Sequence, residues 1–160
     1  MAVLEALYDF GMDTRQYAYQ PVGIVKLPSL ADGGAQADLV TVKIGDRVVD
    51  AALDRVVTLT PTSTVTLAQA QGTPLVVDFS VLTETQTVQL QAAWTLLPGL
   101  TWEDGAPVTT TDLLFAWQMA SAAETPFSKY FIERTASYTA QDARTWSWTG
   151  LPGYVSSTFA

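Results

Sequence analysis

The run LTWEDGAPVTTTDLLFAWQ, from Leu100 to Gln118, leaves this chain little choice of local structure. Leu100 and Trp102 end a strand, and Glu103-Asp104-Gly105 reads as a tight turn, because glycine tolerates the positive φ that such turns use. Pro107 presets an extended approach, and Thr109 to Asp112 has the spacing of a capping box. In such a box the Thr109 hydroxyl accepts from the Asp112 amide, while the Asp112 carboxylate sits in the positive first turn of a helix. Leu113, Leu114, Trp117 and Ala120 then recur at the spacing of a helix buried on one face. The segment predicts strand, turn and capped helix.

The strand that feeds this unit is the clearest in the chain. Between Thr87 and Leu97, Val88, Leu90, Ala92, Trp94 and Leu96 point one way, while Gln89, Gln91 and Thr95 point the other. Pro98-Gly99 ends it. Leu39 to Ile44 alternates in the same manner, with Val40, Val42 and Ile44 on one side. Val48 to Asp50 and Arg55 to Leu59 form a hairpin across Ala52-Leu53-Asp54, and Leu75 to Leu82 is a short strand. Thr60 to Thr73 reads as a surface loop or ragged strand. Beyond the capped helix, Pro126 to Arg134 predicts a shorter helix, and Thr135–Ala140 with Arg144–Thr149 a second hairpin around Gln141-Asp142-Ala143. Val3, Leu4, Ala6 and Leu7 make a helical face at the start, and Gly150 to Tyr154 is a loop punctuated by glycine and proline.

Length and composition narrow the function. A chain of 160 residues is one domain or one lobe of something larger, able to bury roughly 70% of its unfolded surface. Charged residues are 15% of the chain, against about 25% in typical proteins. Threonine fills the gap at 22 positions and favours strands. The fold class expected is α+β: a mainly antiparallel sheet with two or three helices packed on it. Net charge is −8, and no Lys or Arg lies between Arg55 and Lys129. Nucleic acid, whose phosphates need a basic footprint, is therefore not an expected partner. No apolar run approaches the ~20 residues of a membrane span.

The residues of catalysis are scarce. There is no cysteine and no histidine, which removes the thiolate and the commonest general base and metal ligand. Glu103 and Asp104 are adjacent acids, but neighbours in a turn rarely flank a scissile bond as a glycosidase requires, and Asp104 is better read as holding the turn. Asp112 is a helix cap, and the many hydroxyls lack a base to activate them. Lys129 is the lysine beside an aromatic, Tyr130, which alone makes no catalytic site. The expectation is of no enzyme, no metal and no cofactor.

The pattern L-x-W-x-D-G-x-P-V-T-x-x-D-x-x-F-x-W is filled without gaps by Leu100, Trp102, Asp104, Gly105, Pro107, Val108, Thr109, Asp112, Phe115 and Trp117. It closely resembles the signature of the family 5 extracellular solute-binding proteins, the peptide-, nickel- and oligosaccharide-binding receptors of ABC importers. Leu7-Tyr8-Asp9, Pro28-Ser29-Leu30 and the hairpin from Tyr138 to Thr145 resemble further family segments in family order. Related chains often carry glycine in the turn that here is Ala52-Leu53-Asp54.

The resemblance implies a two-lobe receptor of several hundred residues, of which this chain is a single α+β domain from the N-terminal lobe. It implies capture of a peptide or oligosaccharide and delivery to ABC permease subunits. The location implied is extracytoplasmic, in the periplasm or on the cell surface. Contact with the membrane would be only through a lipid anchor absent from this chain, and Met1 would be an imposed start. Family resemblance also brings the stretch from Thr125 to Tyr130 toward the ligand cleft, so Phe127 and Tyr130 are the candidate ligand-binding residues, either as an aromatic wall or as core. Trp94, Trp102 and Trp117 read as core from their phase. The alternative is a free-standing β-rich carbohydrate-binding module, which would expose Trp146 and Trp148 as a platform. A third possibility, a structural adhesive β domain, would have no helix at 112–120.

Overall fold

The structure, a computed structural model, describes residues 12–13, 18–19 and 21–156. The expected helical face at residues 3–7 and the Leu7-Tyr8-Asp9 segment lie outside them. In chain order the elements are β1 (Met12–Asp13), β2 (Ala18–Tyr19), β3 (Ala35–Lys43), β4 (Arg47–Asp50), β5 (Arg55–Thr58), β6 (Thr64–Leu67), β7 (Leu75–Asp78) and β8 (Glu84–Thr95). Then come α1 (Thr110–Ser121), α2 (Tyr130–Glu133), β9 (Thr135–Ala140) and β10 (Thr145–Gly150). The architecture is mostly antiparallel sheet with few helices. A four-stranded sheet runs in the order β3-β8-β10-β9, and β1-β2, β4-β5 and β6-β7 are hairpins.

β8 is one of the sheet's two inner strands, paired antiparallel with β3 on one side and β10 on the other. Its alternation holds from Val88 onward: Val88, Leu90, Ala92 and Trp94 are buried, as is Leu96 just beyond the strand, while Thr87 before them is buried as well. Trp94 and Trp146 are direct partners across β8 and β10, and their rings stack with centroids 5.7 Å apart at 12°. Such a pair adds about 0.5–1.5 kcal/mol beyond the area it buries. Leu113 of α1, Ile24, Val49, Trp148, Leu151 and Tyr154 complete this core.

A second core lies under the hairpins, formed by Val42, Val48, Leu59, Val65, Leu67, Val77 and Phe79. Of the two readings of residues 60–73, surface loop or ragged strand, it favours the strand for part of the stretch. Within that stretch β6 pairs with β7, and Leu67 is fully buried. The Thr-Val-Thr-Leu alternation of β6 is only four residues long, too short to stand out from its threonine-rich surroundings. β4 joins the two cores, because Val48 and Val49 face opposite ways and each is buried in a different one.

Helix α1 begins where the capping box places it, and both arms of the box are present: the Thr109 side chain faces the Asp112 amide, and the Asp112 carboxylate accepts the Thr109 amide at 2.7 Å. The Asp112 carboxylate also accepts the Thr109 hydroxyl at 3.3 Å, and the Asp112 amide donates to the Thr109 carbonyl at 3.1 Å. The helix buries Thr110, Leu113, Ala116 and Ala120. Trp117 and Leu114 are half-buried, so the buried stripe is rotated slightly from the expected one. Trp117 instead stacks on Tyr138 of β9, centroids 4.7 Å apart. Trp102 is also half-buried, at the edge of the core and not in it. The turn before the helix forms as expected: Gly105 has φ 86°, and Asp104 accepts the Ala106 amide at 2.9 Å.

The closing loop from Gly150 to Tyr154 is buried, unlike an ordinary surface loop. The Val49 amide donates to the Pro152 carbonyl at 2.9 Å, and the Gly153 amide to Val88 at 2.7 Å. Gly153 has φ 85°, and a Cβ there would stand 2.5 Å from the Val49 carbonyl oxygen. Gly153→Ala should therefore cost more than about 2 kcal/mol, from the left-handed backbone and the clash together. Asp112→Ala and Thr109→Ala should each cost about 1 kcal/mol, since each removes one arm of the capping box. Urea unfolding monitored by tryptophan fluorescence measures all three, and a wild-type midpoint for either cap variant would contradict its part in the box.

Candidate functional site

The site grows from the end of α1. Ala122 caps the helix, and the Lys129 ammonium folds back to donate to the Ala120 and Ala122 carbonyls at 2.5 and 2.6 Å. A cation on the orphan carbonyls of a helix C-terminus satisfies both their hydrogen bonds and the dipole. That accounts for Lys129 beside its aromatic neighbour. Between these anchors the Phe127 amide donates to Thr125 at 2.7 Å across Pro126, and the Phe127 side chain is 49% exposed. The helix expected over 126–134 is reduced to α2, since Pro126 and the tight turn behind it occupy the first residues.

Both expected site residues, Phe127 and Tyr130, lie at the surface, Tyr130 at 39% exposure, and Phe131 beside it is 53% exposed. The core alternative for Phe127 and Tyr130 is thereby set aside. The Tyr130 ring is held from several directions. Its hydroxyl donates to the Asp54 carboxylate, 2.9 Å from Oδ2 and 3.0 Å from Oδ1. The Arg134 guanidinium lies over one ring face, 3.7 Å from the centroid. The Phe131 ring stands at 86° to it with centroids 5.5 Å apart.

Arg134 itself is buried, and it is the buried cation among the described residues. It donates through Nη1 to the Tyr130 carbonyl at 3.1 Å, and through Nη2 to the Asp54 carbonyl and to Asp54 Oδ1. Its Nε is buried with no hydrogen-bond partner among the described residues. An incompletely satisfied buried cation is costly, and the ring stacked on it offsets part of that cost. The Arg134 carbonyl accepts from Leu151, and Arg47 of β4 donates to the Glu133 carbonyl at 3.2 Å. The short helix is thus tied to both cores.

Asp54 and Arg134 were not singled out from the sequence, although each had a signal. Asp54 has φ 46°, a left-handed residue in the turn where glycine was expected, and aspartate is among the few side chains that tolerate it. Arg134 follows Tyr130 by four residues, the spacing that brings side chains together on a helix. The aromatic platform required of a carbohydrate-binding module does not form, because Trp146 and Trp148 are 2% and 7% exposed. Among the described residues no group of three His, Cys, Asp or Glu side chains is placed to hold a metal, and no helix is long and apolar enough to cross a membrane.

No protein-family model matches the sequence, and no curated protein matches it. The fold is similar to part of a solved structure, the oligopeptide binding protein from Thermus thermophilus complexed with pentapeptide, with a TM-score of 0.54 at 16% identity. The match covers 100% of this chain and 20% of that one, so the chain spans about a fifth of that protein's length. At this identity the likeness is one of fold.

Burial raises the Tyr130 hydroxyl above the ordinary phenol value of 10.0, and the bond to Asp54 raises it further. The folded state thus holds this proton more tightly than the unfolded chain does. The associated stability is fully present below pH 10 and is lost as pH rises through the folded value. Tyr154 is raised as well, chiefly by burial. In a spectrophotometric titration Tyr130→Phe should remove one late-titrating phenol and reduce the loss of stability above pH 10; an unchanged late phase would contradict the Asp54 contact.

Proposed function

We propose that this chain is part of one lobe of an extracytoplasmic solute receptor, which captures a peptide or oligosaccharide for an ABC importer and performs no catalysis of its own. The observation that carries this reading is the similarity of the chain's fold, over its whole length, to one fifth of an oligopeptide-binding protein complexed with a pentapeptide. Two features support it. The LTWEDGAPVTTTDLLFAW run resembles the signature of the family 5 solute-binding proteins. Phe127, Tyr130 and Phe131 are solvent-facing aromatics beside a rigidly tied helix, the kind of low-entropy apolar surface suited to ligand contact. In this reading the single α+β domain belongs to a protein outside the cytoplasm, anchored by lipid and served by permease subunits.

A two-lobe receptor encloses its ligand, and tight small-ligand sites cover some 70–90% of the ligand surface. One lobe offers an open wall, so the 160-residue chain should bind peptides and sugars weakly or not at all, while the complete natural reading frame binds them. Phe127→Ala in the complete protein should weaken binding without unfolding it. Calorimetry of both proteins against one peptide and one oligosaccharide library tests this. Micromolar binding by the 160-residue chain alone would overturn the half-site reading.

A further inference from the structure

Tyr130 is restrained yet remains 39% exposed. The buried Arg134 guanidinium lies over one ring face at 3.7 Å, and the hydroxyl is committed to the Asp54 carboxylate at 2.9 and 3.0 Å. Beside it the Phe131 ring, set at 86° to it, is 53% exposed. Leu53, next to Asp54 in the same turn, is 57% exposed. This accessible surface offers dispersion and apolar area, and the phenol's one proton is already given to Asp54.

We infer that Asp54 and Arg134 are positioning residues that hold the exposed Tyr130 ring in place, so that the wall it forms with Phe131 receives an apolar peptide side chain. The inference rests on the solute-capture reading above and narrows its ligand to peptides. Each restraint removes a different freedom. The Arg134 stack fixes the plane of the ring, and the Asp54 bond fixes its tilt by holding the hydroxyl end. Arg134 also donates to the main-chain carbonyls of both Tyr130 and Asp54, so the helix and the β4–β5 turn are held in register with the ring between them. A ring ordered before binding spares the cost of immobilising it on contact, which is the advantage such positioning confers.

The test uses the complete reading frame and alanine pentapeptides carrying one phenylalanine at each position in turn, with an all-alanine pentapeptide and a cello-oligosaccharide for comparison. Asp54→Gly keeps the left-handed backbone and removes the acceptor, whereas Asp54→Asn keeps both. Tyr130→Phe leaves the Asp54–Arg134 pair intact, so it stands as the probe should Asp54→Gly fail to fold. At one peptide position phenylalanine should bind more tightly than alanine in the wild type. Asp54→Gly and Tyr130→Phe should each weaken that peptide by roughly fivefold. Asp54→Asn should restore it to within about twofold, and the double variant Asp54→Gly/Tyr130→Phe should lose no more than Asp54→Gly alone, because Asp54→Gly already removes the bond that Tyr130→Phe removes.

Asp54→Gly binding like the wild type, Asn failing where Gly fails, or a fully additive double variant would overturn the positioning claim alone. Binding of the oligosaccharide in preference to every peptide would overturn the peptide assignment. A wild-type protein that takes none of these ligands overturns the solute-capture reading and this inference with it.

Discussion

The apolar face of β8 is the constraint on which the rest of the molecule depends. Val88, Leu90, Ala92, Trp94 and Leu96 are all buried, and fully burying a large apolar side chain is worth roughly 1.5–3 kcal/mol. No cap or surface ion pair among the described residues approaches their sum. The strand's other face carries Gln89, Gln91 and Thr95, so a slip of one residue would bury amides and expose tryptophan. Register follows from that penalty. Once β8 is set, Trp94 selects Trp146 as its partner, β10 brings β9, and the β9–β10 turn receives the helix start through bonds from the Thr110 amide and hydroxyl.

The same hierarchy explains where the exposed aromatic surface lies. α2 is only four residues long and buries none of its side chains, so it is not held by a hydrophobic face. Polar ties hold it instead: Arg47 and Leu151 to its last carbonyls, Thr135 to Phe131, and Arg134 to the β4–β5 turn. An element fixed by directional bonds can leave its rings in solvent.

Legibility in the sequence tracked how strongly each feature departs from a generic surface. The strand at 84–95, the turn at Gly105 and the helix start at Thr110 announce themselves through unbroken period-2 alternation, a glycine and a capping pair. The strand Thr64–Leu67 was hidden, because four residues alternate threonine with one valine and one leucine inside a polar stretch. Phe127 and Tyr130 could be named as rings near a helix break, but their exposure depends on Lys129 and Arg134 drawing the chain back upon itself. The bonds between Arg134 and Asp54 join residues far apart in the sequence, and no local pattern encodes them. Trp146 and Trp148 were ambiguous for the related reason that alternation assigns two residues to one face without saying which face is wet.

The central claim is that this fold contributes one aromatic wall of a peptide receptor, at residues 127–134. Hydrogen exchange of the complete protein, with and without a pentapeptide that it binds, tests that claim most directly. The account predicts slowed exchange across residues 127–135 and the 51–54 turn, with β8 and β10 unchanged because their amides are already paired in the sheet. Protection confined to other parts of this chain, with none at residues 127–135, would contradict it.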